Sequence, residues 1–236
     1  MAALVVTHAE VEGPGWIASW LAEEGLPLDV VAPWRGEELP ASLDGVQALV
    51  VMGGPQDAWD DTSAPWLAAT KSLLRTAVAQ GIPTLGVCLG AQLLAVACGG
   101  RVEPGSRGPE LGARFVARRD AAGADPLFWD LPLSPVVVQW HWDAVTSLPP
   151  GSTLLMAGTA YENQAFRVGE RAWGLQFHVE TPPEMVVAWA EQDRASLEES
   201  GVDVDALLAR ALSELDEVAE VWGEVVRRFA RLALER

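Results

Sequence analysis

Cys88 stands in the string PTLGVCLGAQLLAVACGG, with Gly86 and Gly90 two residues to either side of it. The apolar run Ile82 to Val87 reads as a buried strand, and Leu89 to Ala97 as a helix closed by Gly99 and Gly100. A thiol between them sits on a sharp strand-to-helix turn, where flanking glycines remove side chains that would crowd the bend and the nucleophile is lifted clear of its sheet. The positive end of the following helix favours the thiolate, the reactive form. Cys98 lies in the apolar tail of the same helix and reads as a small core residue. Ten helical residues span about 15 Å, too far for a disulfide with Cys88.

A cysteine nucleophile needs an imidazole to take its proton and a third group to orient that imidazole. The chain has three histidines, and His178, in GLQFHVE, stands two residues before Glu180. Residues i and i+2 of an extended segment face the same side about 6.6 Å apart, so the Glu180 carboxylate can reach the His178 ring. Cys88, His178 and Glu180 form a candidate triad. Attack on an amide builds negative charge on oxygen, which calls for fixed N–H donors. The strand LVVMGGP ends in Gly53 and Gly54, whose backbone can approach a ligand, and the amides of Gly54 and Leu89 are the candidate oxyanion donors. A plain turn is the other reading of Gly53-Gly54-Pro55. His8 follows the first strand at the same sheet edge and reads either as a substrate contact or as a solvated loop residue. His141 lies between Trp140 and Trp142, where it either faces a pocket or packs structurally. Neither histidine is assigned to catalysis. The His, Cys, Asp and Glu spacings resemble no zinc site, so neither a metal nor a cofactor is expected.

The elements that must position these groups follow from hydrophobic periodicity. Leu4 to Thr7, Leu28 to Ala32, Ala48 to Met52 and Ile82 to Val87 read as strands, with helices at Gly15 to Glu24 and Trp66 to Gln80. That alternation predicts an α/β fold of three layers: a mostly parallel central sheet with flanking helices. Between about 101 and 177 the segments RFVARR, VVVQWHW, TLLMAG, QAFRVG and RAWGLQFH are short, β-rich and broken by turns, and are expected to extend the sheet with antiparallel strands. From Pro183 onward the pattern is helical. Leu208, Leu212, Leu215, Val218, Trp222, Val225, Phe229 and Leu232 make one apolar stripe, expected to pack on the same domain as a C-terminal helical tail. Arg227, Arg228, Arg231 and Arg236 gather at its end, where cations complement the helix dipole.

With 16 Lys plus Arg against 33 Asp plus Glu, the net charge of -17 opposes a phosphate backbone, so no nucleic acid is expected as partner. The N-terminal MAALVVTHAE has no basic segment before its short apolar run, and no stretch approaches the roughly 20 apolar residues of a membrane span. A cytoplasmic protein off the membrane is expected, and two cysteines agree with a reducing compartment. An oligomer is compatible with the sequence.

In this order, MGGP, GVCLGAQLLA and GLQFHVE resemble the class I, or triad, glutamine amidotransferases. The similarity is greatest to the glutaminase domain of GMP synthase and to stand-alone proteins like it, and it extends through ELG at 110–112, DPLF at 125–128, QWHWD at 139–143 and NQAFRVG at 163–169. It covers 1–185, leaving 186–236 as a C-terminal helical extension. The resemblance implies hydrolysis of the glutamine side-chain amide through a γ-glutamyl thioester on Cys88, with ammonia passed to an acceptor. It implies His178 as general base and then acid, Glu180 as its orienting group, Gly54 and Leu89 as the oxyanion hole, and Gln92 in glutamine binding; Gly53, His141 and Trp142 are possible pocket residues. It also implies glutamine or another γ-glutamyl compound as substrate and a separate synthetase subunit as possible partner. Three departures stand out. Val179 replaces the proline of the usual His-Pro-Glu, Trp142 occupies a position where glycine is common, and no ATP-pyrophosphatase segment follows within 236 residues, so a complete GMP synthase is not expected. A γ-glutamyl hydrolase using the same thioester with water as acceptor, and a catalytically silent regulatory homologue, are the alternative readings.

Overall fold

The computed structural model describes residues 2–235. Alternating apolar residues build the first strands: in β1 (Ala2–Val6), Ala3 and Val5 face one layer while Leu4 and Val6 face the other. Both faces are buried, as a parallel sheet covered by helices requires. β1 pairs in parallel with β2 (Leu28–Val31) and β3 (Val46–Val51), and β3 with β4 (Thr84–Val87). Helix α1 (Gly15–Glu23) packs on one face, and α2 (Trp66–Gln80) and α3 (Leu89–Ala97) on the other.

The middle of the chain contributes β5 (Arg101–Pro104), β6 (Glu110–Phe115), β7 (Ala117–Arg118), β8 (Val136–His141), β9 (Asp143–Ser147), β10 (Thr153–Ala157), β11 (Ala165–Val168) and β12 (Ala172–Leu175). The eight-stranded sheet runs β2-β1-β3-β4-β12-β11-β10-β7, parallel as far as β12 and antiparallel beyond it. The expected antiparallel extension is present, with one correction. VVVQWHW does not join the sheet: β8 pairs with β6 in a separate ribbon, and β5 pairs with β9 in another. RFVARR is divided between ribbon and sheet edge at the buried Val116, whose N–H bonds Pro135 O where the ribbon ends.

Two helices complete the layer that holds α1: α4 (Pro183–Glu199) and α5 (Val204–Leu234). α5 is capped by the Asp203 side chain, which accepts from Ala206 N, and buries Leu215, Val218, Trp222, Val225 and Phe229 on its apolar stripe. It lies over the β6–β8 ribbon, where Trp222 Nε1 donates to Val136 O at 2.9 Å. Its arginines make tertiary ion pairs, Arg227 with Glu23 at 2.8 Å and Arg228 with Asp130. Arg236, assigned by periodicity to the same end, lies outside the described residues. Among the described residues, no helix is long and apolar enough to cross a membrane.

Candidate active site

The register of the parallel strands brings distant residues to one level. Val6 aligns with Val51, Val51 with Gly86, and Val87 with Leu175. The segments that leave these positions therefore emerge along one carboxyl edge: His8 after β1, Gly53 and Gly54 after β3, Cys88 after β4 and His178 after β12.

Cys88 is the one non-glycine residue with positive φ among the described residues, at φ 49° and ψ −107°. Such a conformation costs a non-glycine residue roughly 1–3 kcal/mol and persists only where its surroundings enforce it. Three contacts do so. Cys88 N donates to Leu175 O at 2.7 Å, a Cβ on Gly86 would stand 2.5 Å from Gly90 O, and one on Gly90 would stand 2.0 Å from Val51 O. The glycines are sterically obligatory, because backbone occupies the space a side chain would need. The thiol is buried, and Sγ lies 3.9 Å from Trp140 O.

His178 and Glu180 lie past the end of β12, where the chain leaves the sheet and is held by the ribbon: His178 N donates to Val138 O at 2.8 Å and Val138 N to His178 O at 3.2 Å. The His178 ring lies close enough to Cys88 for the two to interact electrostatically, and its Nδ1 lies 2.7 Å from Glu180 Oε1. Burial alone would lower the His178 pKa. The adjacent Glu180 carboxylate and Cys88 outweigh burial and hold it well above the ordinary histidine value. Val179 N donates to Glu180 Oε2 at 2.9 Å, so the N–H that a proline would lack anchors the second carboxylate oxygen. Trp16 N, in the first turn of α1, donates to Glu180 O at 2.8 Å, and a Cβ on Gly15 would come within 2.0 Å of that oxygen.

Gly54 packs against Leu89 and His8, and lines a cavity of about 310 Å³ beside Cys88. Leu89 opens α3, where first-turn N–H groups lack intrahelical partners, directly after Cys88. Gln92 is in the cavity wall, its Nε2 donating to Asp143 O at 3.1 Å and to Gln176 Oε1 at 3.4 Å. Gly53 leaves room for His178, whose Cε1 lies 3.1 Å from where a Cβ would stand. Trp142 lines the cavity and remains 45% exposed. His141 also lines it, its Nδ1 2.7 Å from Asp143 O, while Glu110 Oε2 lies 3.3 Å from Nε2 without completing a hydrogen bond. His8 is not a solvated loop residue. It is buried, accepts at Nδ1 from Trp66 Nε1 at 3.1 Å, and burial pushes its pKa down to about 4, so the ring stays neutral.

Sequence reasoning passed over Glu12, Asp57, Asp143, Trp189 and Asp193, which also line the cavity. Trp189 and Asp193 are one helical turn apart on α4, a spacing that signals a shared face. Glu12 sits on the loop after β1, at the same carboxyl edge as Cys88, and burial raises its carboxyl to about 7. Burial, with Asp57 beside it, likewise raises Asp143 to about 6. Among the described residues, no group of His, Cys, Asp and Glu is arranged to hold a metal ion. A thiol in the cavity wall, a carboxylate-oriented imidazole close to it and a helix start directly after it are parts suited to acyl transfer through a thioester.

The profile described as "Glutamine amidotransferase class-I" matches residues 15–186. The GMP synthase [glutamine-hydrolyzing] of Porphyromonas gingivalis is 36% identical over 145 residues, which cover 61% of this chain but only 26% of that protein. Gamma-glutamyl peptidase 5 of Arabidopsis thaliana is 30% identical over 172 residues, 71% of this chain and 67% of the peptidase. A crystal structure of a glutamine amidotransferase from Thermotoga maritima superposes with a TM-score of 0.86 at 30% identity, covering 97% of this chain and 98% of that one. Elbow, edge and fold converge with these likenesses: the chain belongs to the class-I glutamine amidotransferase family.

Proposed function

We infer that the protein hydrolyses a γ-glutamyl amide, glutamine being the simplest, through a thioester on Cys88. The observation that supports this reading is Cys88 on its strained turn in the cavity wall, close to the buried His178, whose Nδ1 lies 2.7 Å from Glu180 Oε1. The thiol proton passes to His178 as Sγ attacks the amide carbon, and the oxygen becomes an anion facing the N–H groups of Gly54 and Leu89. His178 then protonates the departing nitrogen, the C–N bond breaks and the γ-glutamyl thioester remains. Water, deprotonated by the same imidazole, cleaves the thioester to glutamate and restores the thiol. Glu180 keeps His178 in the tautomer whose Nε2 faces the sulfur. Gln92 holds the glutamyl moiety from the cavity wall.

With glutamine, the product nitrogen is ammonia, and similarity to GMP synthases supports its delivery to an acceptor by a separate synthetase partner. A second reading, in which the nitrogen carries an organic substituent and water is the final acceptor, is favoured by the similarity to a γ-glutamyl peptidase and by Trp142 at the cavity wall. Both use the same chemistry at Cys88. The test is release of ammonia or amine from glutamine and from γ-glutamyl conjugates, with Cys88→Ala as control. Turnover by the parent and its loss in the variant is the expected result; retained turnover in Cys88→Ala removes the nucleophile assignment.

A further inference from the structure

The cavity wall beside Cys88 carries four carboxyl side chains, Glu12, Asp57, Asp143 and Asp193, and three indoles, Trp140, Trp142 and Trp189. Among the described residues, neither lysine nor arginine lines it. The carboxyls divide into two groups. Asp57 and Asp143 interact with each other, and Gln92 bonds the Asp143 backbone, so this pair lies on the side that holds the glutamyl moiety, whose α-ammonium is a cation. Glu12 and Asp193 interact with each other, and the charge facing Glu12 from the protein is the His178 ring, which gives up its proton to the leaving nitrogen.

Their position identifies what they face. His178 Nδ1 is committed to Glu180, so Nε2 must protonate the leaving nitrogen. Glu12 stands on this flank: the Cβ position of Gly53 is 2.5 Å from Glu12 Oε2 and 3.1 Å from His178 Cε1. Trp189 closes the same side, its ring 4.5 Å from that of His178 and 6.0 Å from that of Trp140. Asp193 accepts from Trp140 Nε1 at 2.8 Å, which turns one carboxylate edge along the indoles. Two polar atoms here are orphans. Glu12 Oε2 and Trp189 Nε1 are both buried and face one another, and neither has a hydrogen-bond partner of good geometry. A buried carboxylate oxygen whose nearby donor, the Trp189 indole, is poorly aligned is under-satisfied, and its place beside the leaving group leaves it open to a donor supplied by the substrate.

We propose that the substrate is a γ-glutamyl diamine, whose leaving group carries a second ammonium held by Glu12 and Asp193 against the faces of Trp140 and Trp189. This rests on the γ-glutamyl hydrolase reading above and names its substrate class. Carboxylates together with aromatic faces recognise an alkylammonium by ion pairing and cation–π attraction, both strengthened away from water. Burial leaves Glu12 with a raised carboxyl, a group that gains most from an incoming cation. A leaving group ending in a carboxylate meets repulsion in the same place, and the net charge of -17 steers cations toward the cavity. The reaction consumes one water, breaks the amide C–N bond and yields glutamate and the free diamine.

The experiment compares kcat/KM for three γ-glutamyl amides of similar length: those of 1,4-diaminobutane, of pentylamine, which puts methyl in place of the ammonium, and of 5-aminopentanoate, which puts a carboxylate there. The diamine conjugate is expected to exceed the pentylamide by at least about tenfold and the aminopentanoate conjugate by more, with gaps that narrow as salt rises. Glu12→Gln and Asp193→Asn should each pull the ratio of diamine to pentylamide toward one. A pentylamide or aminopentanoate conjugate turned over as well as the diamine conjugate overturns the proposal, as does a ratio unmoved by both substitutions, while leaving the hydrolase reading in place. If none of the three conjugates nor glutamine reacts and a diazo-ketone glutamine analogue fails to label Cys88, both the proposal and the hydrolase reading fall.

Discussion

Cys88 occupies a backbone conformation that only its neighbours make tolerable, and it sits close enough to His178 to raise that ring's pKa. The glycines at 86 and 90 were legible as the mark of a tight turn, since the chemistry of a nucleophile elbow needs small residues there. The role of Val179 was not. Its N–H donates to Glu180 Oε2 at 2.9 Å, so the departure from proline brings an extra anchor for the carboxylate. Val179→Pro should therefore lower kcat by about tenfold with little change in KM, consistent with loss of one charge-assisted hydrogen bond worth roughly 1.5–3 kcal/mol. Steady-state kinetics check this; equal or faster turnover would mean that Glu180 does not need that anchor. Glu12 gives a pH prediction. Its carboxyl is raised from 4.5 to about 7 mainly by burial, opposed by His178 and reinforced by Glu180 and Asp193. The folded state thus holds a proton that the unfolded chain loses first, and the associated stability is present below pH 4.5 and lost as pH rises through about 7. Glu12→Gln removes that ionisation, so the variant should gain about 1–3 kcal/mol on the parent between pH 4.5 and pH 8. Urea unfolding at the two pH values measures it, and parallel stability profiles for the two proteins would refute the burial of an ionising Glu12.

At the scale of elements, the parallel strands and their helices were readable because alternating apolar residues and Gly or Pro boundaries are local signals. The ribbon of β6 and β8 was not, because VVVQWHW has the same pattern whether it joins the sheet or pairs beside it. What decides is tertiary: α5 covers the ribbon, and Trp222 donates to Val136 O. The ribbon in turn holds His178 through paired hydrogen bonds with Val138, so an element misplaced by periodicity is one that positions the candidate base. The start of α1 acts on the next link, since Trp16 N holds Glu180 O and Gly15, at φ +43°, lets the two segments touch. Gly15→Ala should cost about 2 kcal/mol or more, combining positive φ with a Cβ placed 2.0 Å from Glu180 O, and should lower turnover by moving Glu180. Denaturant unfolding together with kinetics tests this. A variant as stable and as fast as the parent would show that the docking of α1 is not needed at the site.

For the whole molecule, strand order rather than sequence proximity assembles the site. Residues near 12, 54, 88 and 178 meet because β1, β3, β4 and β12 are successive neighbours with aligned carboxyl ends. Cys88, His178, Glu180 and the two glycines of MGGP could be nominated from the sequence because each carries a recognisable local pattern. Glu12, Trp189 and Asp193 could not, since an acid in a loop and a Trp-Asp pair on a helix also suit ordinary surface or core positions. They become interpretable only as walls of one cavity without lysine or arginine. The central claim is that Cys88 carries the γ-glutamyl group. It is tested most directly by incubating the protein with a diazo-ketone glutamine analogue, followed by peptide mass spectrometry. The account predicts one adduct, on the peptide containing Cys88 and located on Cys88, blocked by a γ-glutamyl substrate and absent from Cys88→Ala; labelling at Cys98 instead, or no adduct at Cys88, would contradict it.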